Sequence, residues 1–314
     1  MEILLQVLLL VVGFVMLVKG ADWFVDGAAG IATKFGIPQL VVGLTIVAMG
    51  TSAPEAAVSI TAALKGNAGI AIGNVVGSNI LNILIILGLT GVITTVAIQK
   101  STLKIEIPFM LAVTLVLMAM GANNGYVTRI EGVILWVLFI VYLAYLFVLA
   151  KKGNQSDLAE DKPEERPIWK LLLLAVIGGV VVVCGSNVTV DAATKIAQAI
   201  GLSESFIGLT IVALGTSLPE LVTSVTAAKK GNADIAIGNI VGSNIFNILF
   251  VIGTSSLIIP IIYEASFIID SIIAVAAGVL LWISVFRTMS LKRNWGIVML
   301  LGYAAYFVYL LMMQ

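Results

Sequence analysis

The string GTSAPE at residues 50–55 returns as GTSLPE at 215–220, 165 residues later. Around it, VVGLTIVAMGTSAPE (41–55) and FIGLTIVALGTSLPE (206–220) agree at 11 of 15 positions. At the same offset, GNAGIAIGNVVGSNILNILIILG (66–88) and GNADIAIGNIVGSNIFNILFVIG (231–253) agree at 17 of 23. Gly20 pairs with Gly185, Asp26 with Asp191 and Gly36 with Gly201. The chain is therefore a duplication, and its fold must seat one copy of a unit against the other.

The unit belongs in a bilayer. Of the 314 residues, 60% are hydrophobic and 11% charged, where soluble domains carry about 25% charged residues. Mean hydropathy is +1.13. Zero net charge argues against a nucleic-acid partner. With no histidine and a single cysteine, Cys184, the chain offers no internal disulfide, no Cys/His zinc site and no histidine relay.

A crossing helix needs about 20 apolar residues. Runs and breakers predict ten spans: 3–30, 38–64, 69–96, 104–121, 130–150, 168–199, 204–228, 234–259, 266–286 and 294–313. The first run carries Glu2 and no basic start, so it reads as a helix of the mature protein rather than a signal peptide. Residues 151–167, KKGNQSDLAEDKPEERP, form a polar linker between a first unit (1–150) and a second (168–314). One set of alternate loops holds thirteen Lys and Arg, and the other holds only Lys65, Arg129 and Lys195. The basic set belongs in the cytoplasm, which puts both termini outside it. Five spans per copy is an odd number, so the second copy sits inverted. Secondary transporters share this plan, with the substrate site at the midplane between the copies. The expected fold is an all-α polytopic membrane protein of two inverted five-helix repeats.

Glu55 and Glu220 lie deep in two of these spans. No Lys or Arg lies between Phe35 and Leu64, or between Lys195 and Ala228. Two carboxylates ~6 Å apart repel by about 3 kcal/mol at an effective dielectric of ~20. Positive charge must come from solution, as a metal ion or a proton. Thr51 and Ser52 precede Glu55 by four and three residues, and Thr216 and Ser217 repeat this before Glu220. Both pairs share a helical face with their glutamate. Pro54 and Pro219 each free a carbonyl one turn earlier, beside Gly50 and Gly215. Carboxylate, hydroxyl and carbonyl oxygens suit Ca²⁺, and Na⁺ accepts similar ligands. Asn74, Ser78 and Asn82 line one side of the next helix, as do Asn239, Ser243 and Asn247 in the other copy. Gly73 with Gly77, and Gly238 with Gly242, permit close helix approach.

Serine and asparagine also join membrane helices by simple hydrogen bonds. Ser78, Ser243, Asn82, Asn247, Asn74 and Asn239 are open to that reading. Ser52 and Ser217 are open to bonding back to their own helix. Asp26 and Asp191 read as capping or interfacial residues, and Trp23, Trp169, Trp282 and Trp295 as interfacial anchors.

The doubled motif GTSAPE…GNVVGSNILN and GTSLPE…GNIVGSNIFN resembles the two α-repeats of the sodium/calcium exchangers, within the calcium/cation antiporter superfamily. The resemblance covers the whole chain. It implies ion sites between the second, third, seventh and eighth helices. Glu55 and Glu220 would be carboxylates shared by Ca²⁺ and Na⁺. Thr51 and Thr216, with the carbonyls of Ala48 and Ala213, would add oxygens. Ser52, Ser217, Ser78 and Ser243 would line sodium positions, and Asn82 would belong to the central site. The first and sixth helices would slide to switch access. Such exchangers often carry Asp where this chain has Asn247, which leaves a central charge of −2 that one Ca²⁺ neutralises.

The expected function is secondary Na⁺/Ca²⁺ antiport by a monomer with no cofactor and no enzymatic activity. Its partners would be Ca²⁺, Na⁺ and the lipid of a cell membrane, a prokaryotic plasma or inner membrane. H⁺/Ca²⁺ or K⁺-dependent antiport and a passive cation channel are the rivals. The proton-coupled branch resembles a GNxxE motif, often followed by His, where this chain reads GNVVGSN.

Overall fold

The computed structural model describes residues 2–153, 164–200 and 213–312. The first unit opens with α1 (Glu2–Phe35), followed by α2 (Gln39–Thr51), α3 (Ala53–Leu64), α4 (Gly69–Ile93), α5 (Thr102–Asn123) and α6 (Arg129–Lys151). The second repeats the series as α7 (Ile168–Ala199), α8 (Ala213–Thr216), α9 (Leu218–Lys229), α10 (Ala233–Ile258), α11 (Phe267–Phe286) and α12 (Arg293–Met312). Eight of these helices are long and apolar enough to cross a membrane, and α2 with α3 forms a ninth path bent by 51°. Of the expected seventh span, 204–228, the first part lies outside the described residues. The chain is a multi-pass helical membrane protein.

Burial sorts the helices. In their most apolar stretches, α10 is 94% buried and α4 72%, against 17% for both α1 and α12. The two GN-x-x-GSN helices are thus the centre of the protein, and α1 turns Leu4, Leu8, Val11 and Val15 outward. Hydrophobicity cannot bring helices together in lipid, so close packing of small residues must. Glycine supplies it at α1 and α7, which run 34 and 32 residues. Gly13, Gly20 and Gly27 recur every seven residues on α1, facing Gly185, Gly178 and Ala175 of α7 in turn. A Cβ on Gly20 would sit 2.8 Å from the Val182 nitrogen, and one on Gly178 2.3 Å from the Phe24 nitrogen.

Two short antiparallel pairs tie the loops. β1 (Val96–Ala97) joins β4 (Ser290–Leu291), and β2 (Tyr126–Val127) joins β3 (Ile261–Ile262). They also expose a slip in the repeat. β1 and β3 lie 165 apart, but β2 and β4 lie 164 apart. The left-handed residues Gly125 (φ 69°) and Met289 (φ 48°) also match at 164. One residue is therefore missing from the second copy between β3 and β4.

The end of the linker docks on α1. Lys34 Nζ donates to the Arg166 carbonyl at 2.7 Å, and Arg166 grips Glu164 through Nε at 2.8 Å and Nη2 at 2.7 Å. Those guanidinium bonds hold the Glu164 carboxyl down at about 2. A lowered carboxyl contributes above the ordinary carboxylate range and is lost only as pH falls through about 2, so this dock is constant across physiological pH.

Candidate functional site

Both glutamates sit just beyond a break in the helix. Ser52 (φ −81°, ψ 6°) separates α2 from α3, and Ser217 (φ −91°, ψ 3°) separates α8 from α9. Pro54 and Pro219 stand in the first turn after each break, where a missing N–H costs no helical bond. A π-helical stretch, Gly43–Val47, precedes the first break, and two more begin at Asn82 and Asn247. π-bulges mark functional positions in helices. Each of the two asparagines is the first residue of its wider turn.

The glutamates are both 1% exposed, and each is held by the opposite repeat. Ser52 Oγ donates to Glu220 Oε1 at 2.7 Å, and Ser217 Oγ donates to Glu55 Oε1 at 3.2 Å. The two serines therefore do not bond back to their own helices. Neither carboxylate is ion-paired; the ion pairs among the described residues lie elsewhere. Glu55 Oε2 and Glu220 Oε2 are buried with no hydrogen-bond partner.

The amides extend the crossed pattern. Asn82 Nδ2 donates to Asn244 Oδ1 at 2.9 Å, and Asn247 Nδ2 to Asn79 Oδ1 at 3.3 Å. Asn79 and Asn244 donate to each other's backbone carbonyls, both at 3.2 Å. The donors of Asn82 and Asn247 are thus engaged while their carbonyl oxygens are buried and unpartnered. Asn79 and Asn244 escaped the sequence reading because they fall off the i, i+4 stripe. Their signal was their place beside Ser78 and Ser243 in both GSN strings.

The remaining expected residues are near but less symmetric. Thr51 Oγ1 bonds the Val47 carbonyl at 3.0 Å and Asn239 Oδ1 at 2.9 Å, whereas Thr216 Oγ1 is buried and unpartnered. The Ala48 carbonyl accepts from the Ser52 N–H at 3.0 Å and the Ser243 hydroxyl at 3.4 Å. Ala213 opens α8, and its side chain lies outside the described residues. Ser78 is buried. Asn74 and Asn239 each bond a serine hydroxyl, Ser59 and Ser224, at 2.9 Å, and also reach the carbonyls of Glu55 and Glu220. They brace the helices behind the carboxylates.

Buried polar groups are nearly always paired. Unpartnered oxygens recur through this doubled motif, two of them carboxylate, and no ion pair reaches them among the described residues. That is the donor set of a hard cation.

Comparison with known proteins follows the same lines. A model of the sodium/calcium exchanger protein family matches residues 5–148 and 170–312. The putative antiporter CaxA of Alkalimonas amylolytica is 40% identical over 296 residues, 92% of each chain. The sodium/calcium exchanger MaX1 of Methanosarcina acetivorans is 34% identical, covering 96% of this chain and 97% of its own. Among solved structures, the sodium-calcium exchanger NCX_Mj soaked with Na⁺ and Sr²⁺ superimposes with a TM-score of 0.84 at 34% identity, covering 98% of this chain and 99% of that one.

Proposed function

Because the chain belongs to the sodium/calcium exchanger protein family, we propose that it exchanges Na⁺ for Ca²⁺ across a prokaryotic plasma or inner membrane by alternating access. The observation that carries this reading is the crossed carboxylate pair, buried, unpaired in charge and ringed by unpartnered oxygens. In this reading Glu55 and Glu220 bind both ions. Thr51, Thr216, Ser52, Ser217, Ser78, Ser243, Asn82, Asn247 and the carbonyls of Ala48 and Ala213 complete the shell. The transported ions are the only ligands needed. Both carboxylates come from one chain, so a monomer suffices.

Closing the site without a cation desolvates two anions. Ca²⁺ or several Na⁺ remove that penalty and permit closure, and competition for the same oxygens couples the two fluxes. The chain crosses the membrane ten times in two inverted units, 1–150 and 168–314, joined by the cytoplasmic linker 151–167, with both termini outside. The strand pairs support this topology, since each joins loops that it puts on the same side. Proteoliposomes loaded with Na⁺ should take up ⁴⁵Ca²⁺ when diluted into Na⁺-free medium. A K⁺ or pH gradient alone should drive none, and uptake driven by pH without Na⁺ would overturn the sodium assignment.

One asymmetry bears on switching. Lys230, just after α9, contacts Asp26 Oδ1 at 2.8 Å and Asp22 Oδ1 at 3.2 Å on α1. Asp26 is thus a latch point rather than a cap. The repeat counterparts Lys65 and Asp191 form no ion pair among the described residues. The latch thus holds α1 at one face and not α7 at the other. Exposed pairs contribute about 0.2–1 kcal/mol. Lys230→Gln should shift the inward–outward balance by up to ~5-fold, read as the ratio of external to internal Ca²⁺ half-saturation in oriented vesicles. Lys65→Gln should leave that ratio unchanged.

A further inference from the structure

A second buried acid lies outside the crossed pair. Glu106, 1% exposed, stands at the end of a π-helical turn, Thr102–Glu106, at the start of α5. Tyr145 on α6 donates its hydroxyl to Glu106 Oε1. Glu106 Oε2 is buried without a partner, and so are the hydroxyls of Tyr142, one turn before Tyr145, and Thr102. Tyr142 is fixed by Phe109, whose ring stacks on it at 5.5 Å. No ion pair among the described residues reaches Glu106, and Lys104 on the same turn points to the exposed side.

The cluster is duplicated, and only the slip in the repeat hid it. At an offset of 164, Glu106 matches Asp270, Tyr142 matches Tyr306 and Tyr145 matches Tyr309. In the second copy Tyr306 donates to Asp270 Oδ1 at 3.0 Å. An acid bonded by a phenol is therefore part of the unit, yet the two acids bond different members of the matching tyrosine pairs. None of the oxygens of Asp270, Tyr306 or Tyr309 is among the buried unpartnered atoms.

We propose that Glu106, with the hydroxyls of Tyr142 and Thr102, forms a second cation site, separate from Glu55 and Glu220, that takes one monovalent alkali cation, Na⁺ or K⁺. A lone carboxylate supplies one negative charge to this cluster. The donor set therefore balances a singly charged ion. A proton on Oε2 donates to at most one of the two buried hydroxyl oxygens, whereas a cation collects lone pairs from several oxygens at once. The inference stands on this cluster alone and does not require the antiport reading.

The test uses the full chain in detergent with Glu55→Gln and Glu220→Gln in place, which removes both central charges. NaCl or KCl, measured against equal choline chloride, should raise Tm saturably by roughly 2–4 °C. Glu106→Gln should abolish the rise. Tyr142→Phe keeps the ring on Phe109 and should raise the half-saturating salt at least ~10-fold. Asp270→Asn should leave the response intact. No saturable rise with either salt, or a rise that survives Glu106→Gln, overturns the proposal. A rise that follows falling pH, ignores Na⁺ and K⁺ and disappears in Glu106→Gln makes Glu106 a proton holder, and overturns it equally.

Discussion

Glu55→Gln is expected to lower Na⁺-driven ⁴⁵Ca²⁺ uptake in proteoliposomes by roughly 100-fold or more. Glutamine keeps the shape of the side chain and removes its charge. The site then offers −1 to a divalent ion that needs −2, and the mismatch is buried where water cannot relieve it. Glu220→Gln should do the same, because the two carboxylates are equally buried and equivalently bonded across the repeat boundary. Ser217→Ala should cost less, since it removes one hydrogen bond to Glu55 and no charge. The variants should still elute as monodisperse protein, which separates loss of transport from loss of fold. Normal uptake by Glu55→Gln would remove the crossed pair from the mechanism.

The second large effect is expected at Gly178, with Gly179 as its built-in control. A Cβ on Gly178 would lie 2.3 Å from the Phe24 nitrogen and 2.8 Å from the Gly20 oxygen, so the two backbones must separate. A Cβ on Gly179 would meet the Phe24 ring at 3.7 Å, an ordinary contact. Gly178→Ala should cost about 1–3 kcal/mol by overpacking and lower Tm by several degrees, while Gly179→Ala should stay within about 0.5 kcal/mol. Gly178→Leu should force α1 off α7 and abolish uptake. Equal melting temperatures for the two alanine variants would show that the helices do not depend on backbone contact at this crossing.

Much of the candidate site is legible because it is written twice. Glu55 and Glu220 could be singled out from charge alone, since nothing basic lies near them in sequence. Their serine partners could not, because Ser52 sits three residues from Glu55 yet bonds Glu220. Local spacing points to the near glutamate, and only tertiary packing reveals the exchange. Asn79 and Asn244 were missed for a related reason. They bond each other's backbone carbonyls across the repeat boundary, a contact between halves that no spacing within one helix can show. The π-helical turns are deviations of backbone rather than of composition, and no residue type announces them. The slip from 165 to 164 is not legible in the sequence, because the later helices are generically apolar and carry no motif that fixes the register. That slip concealed both the acid–tyrosine pairs and the match of Gly125 to Met289. The seven-residue glycine ladder on α1 was present in the sequence, but its meaning depended on α7 lying opposite.

The exchange of serines between halves has a consequence for how such a protein can be divided. Each glutamate takes its serine partner from the other half, so either half made alone should be inert however well it inserts. A chain severed between residues 154 and 163 should nevertheless regain transport when both fragments are made together, provided they enter the bilayer in opposite senses. By the same reasoning, a single half needs a second copy of itself, inserted in the opposite sense, before either glutamate meets a serine.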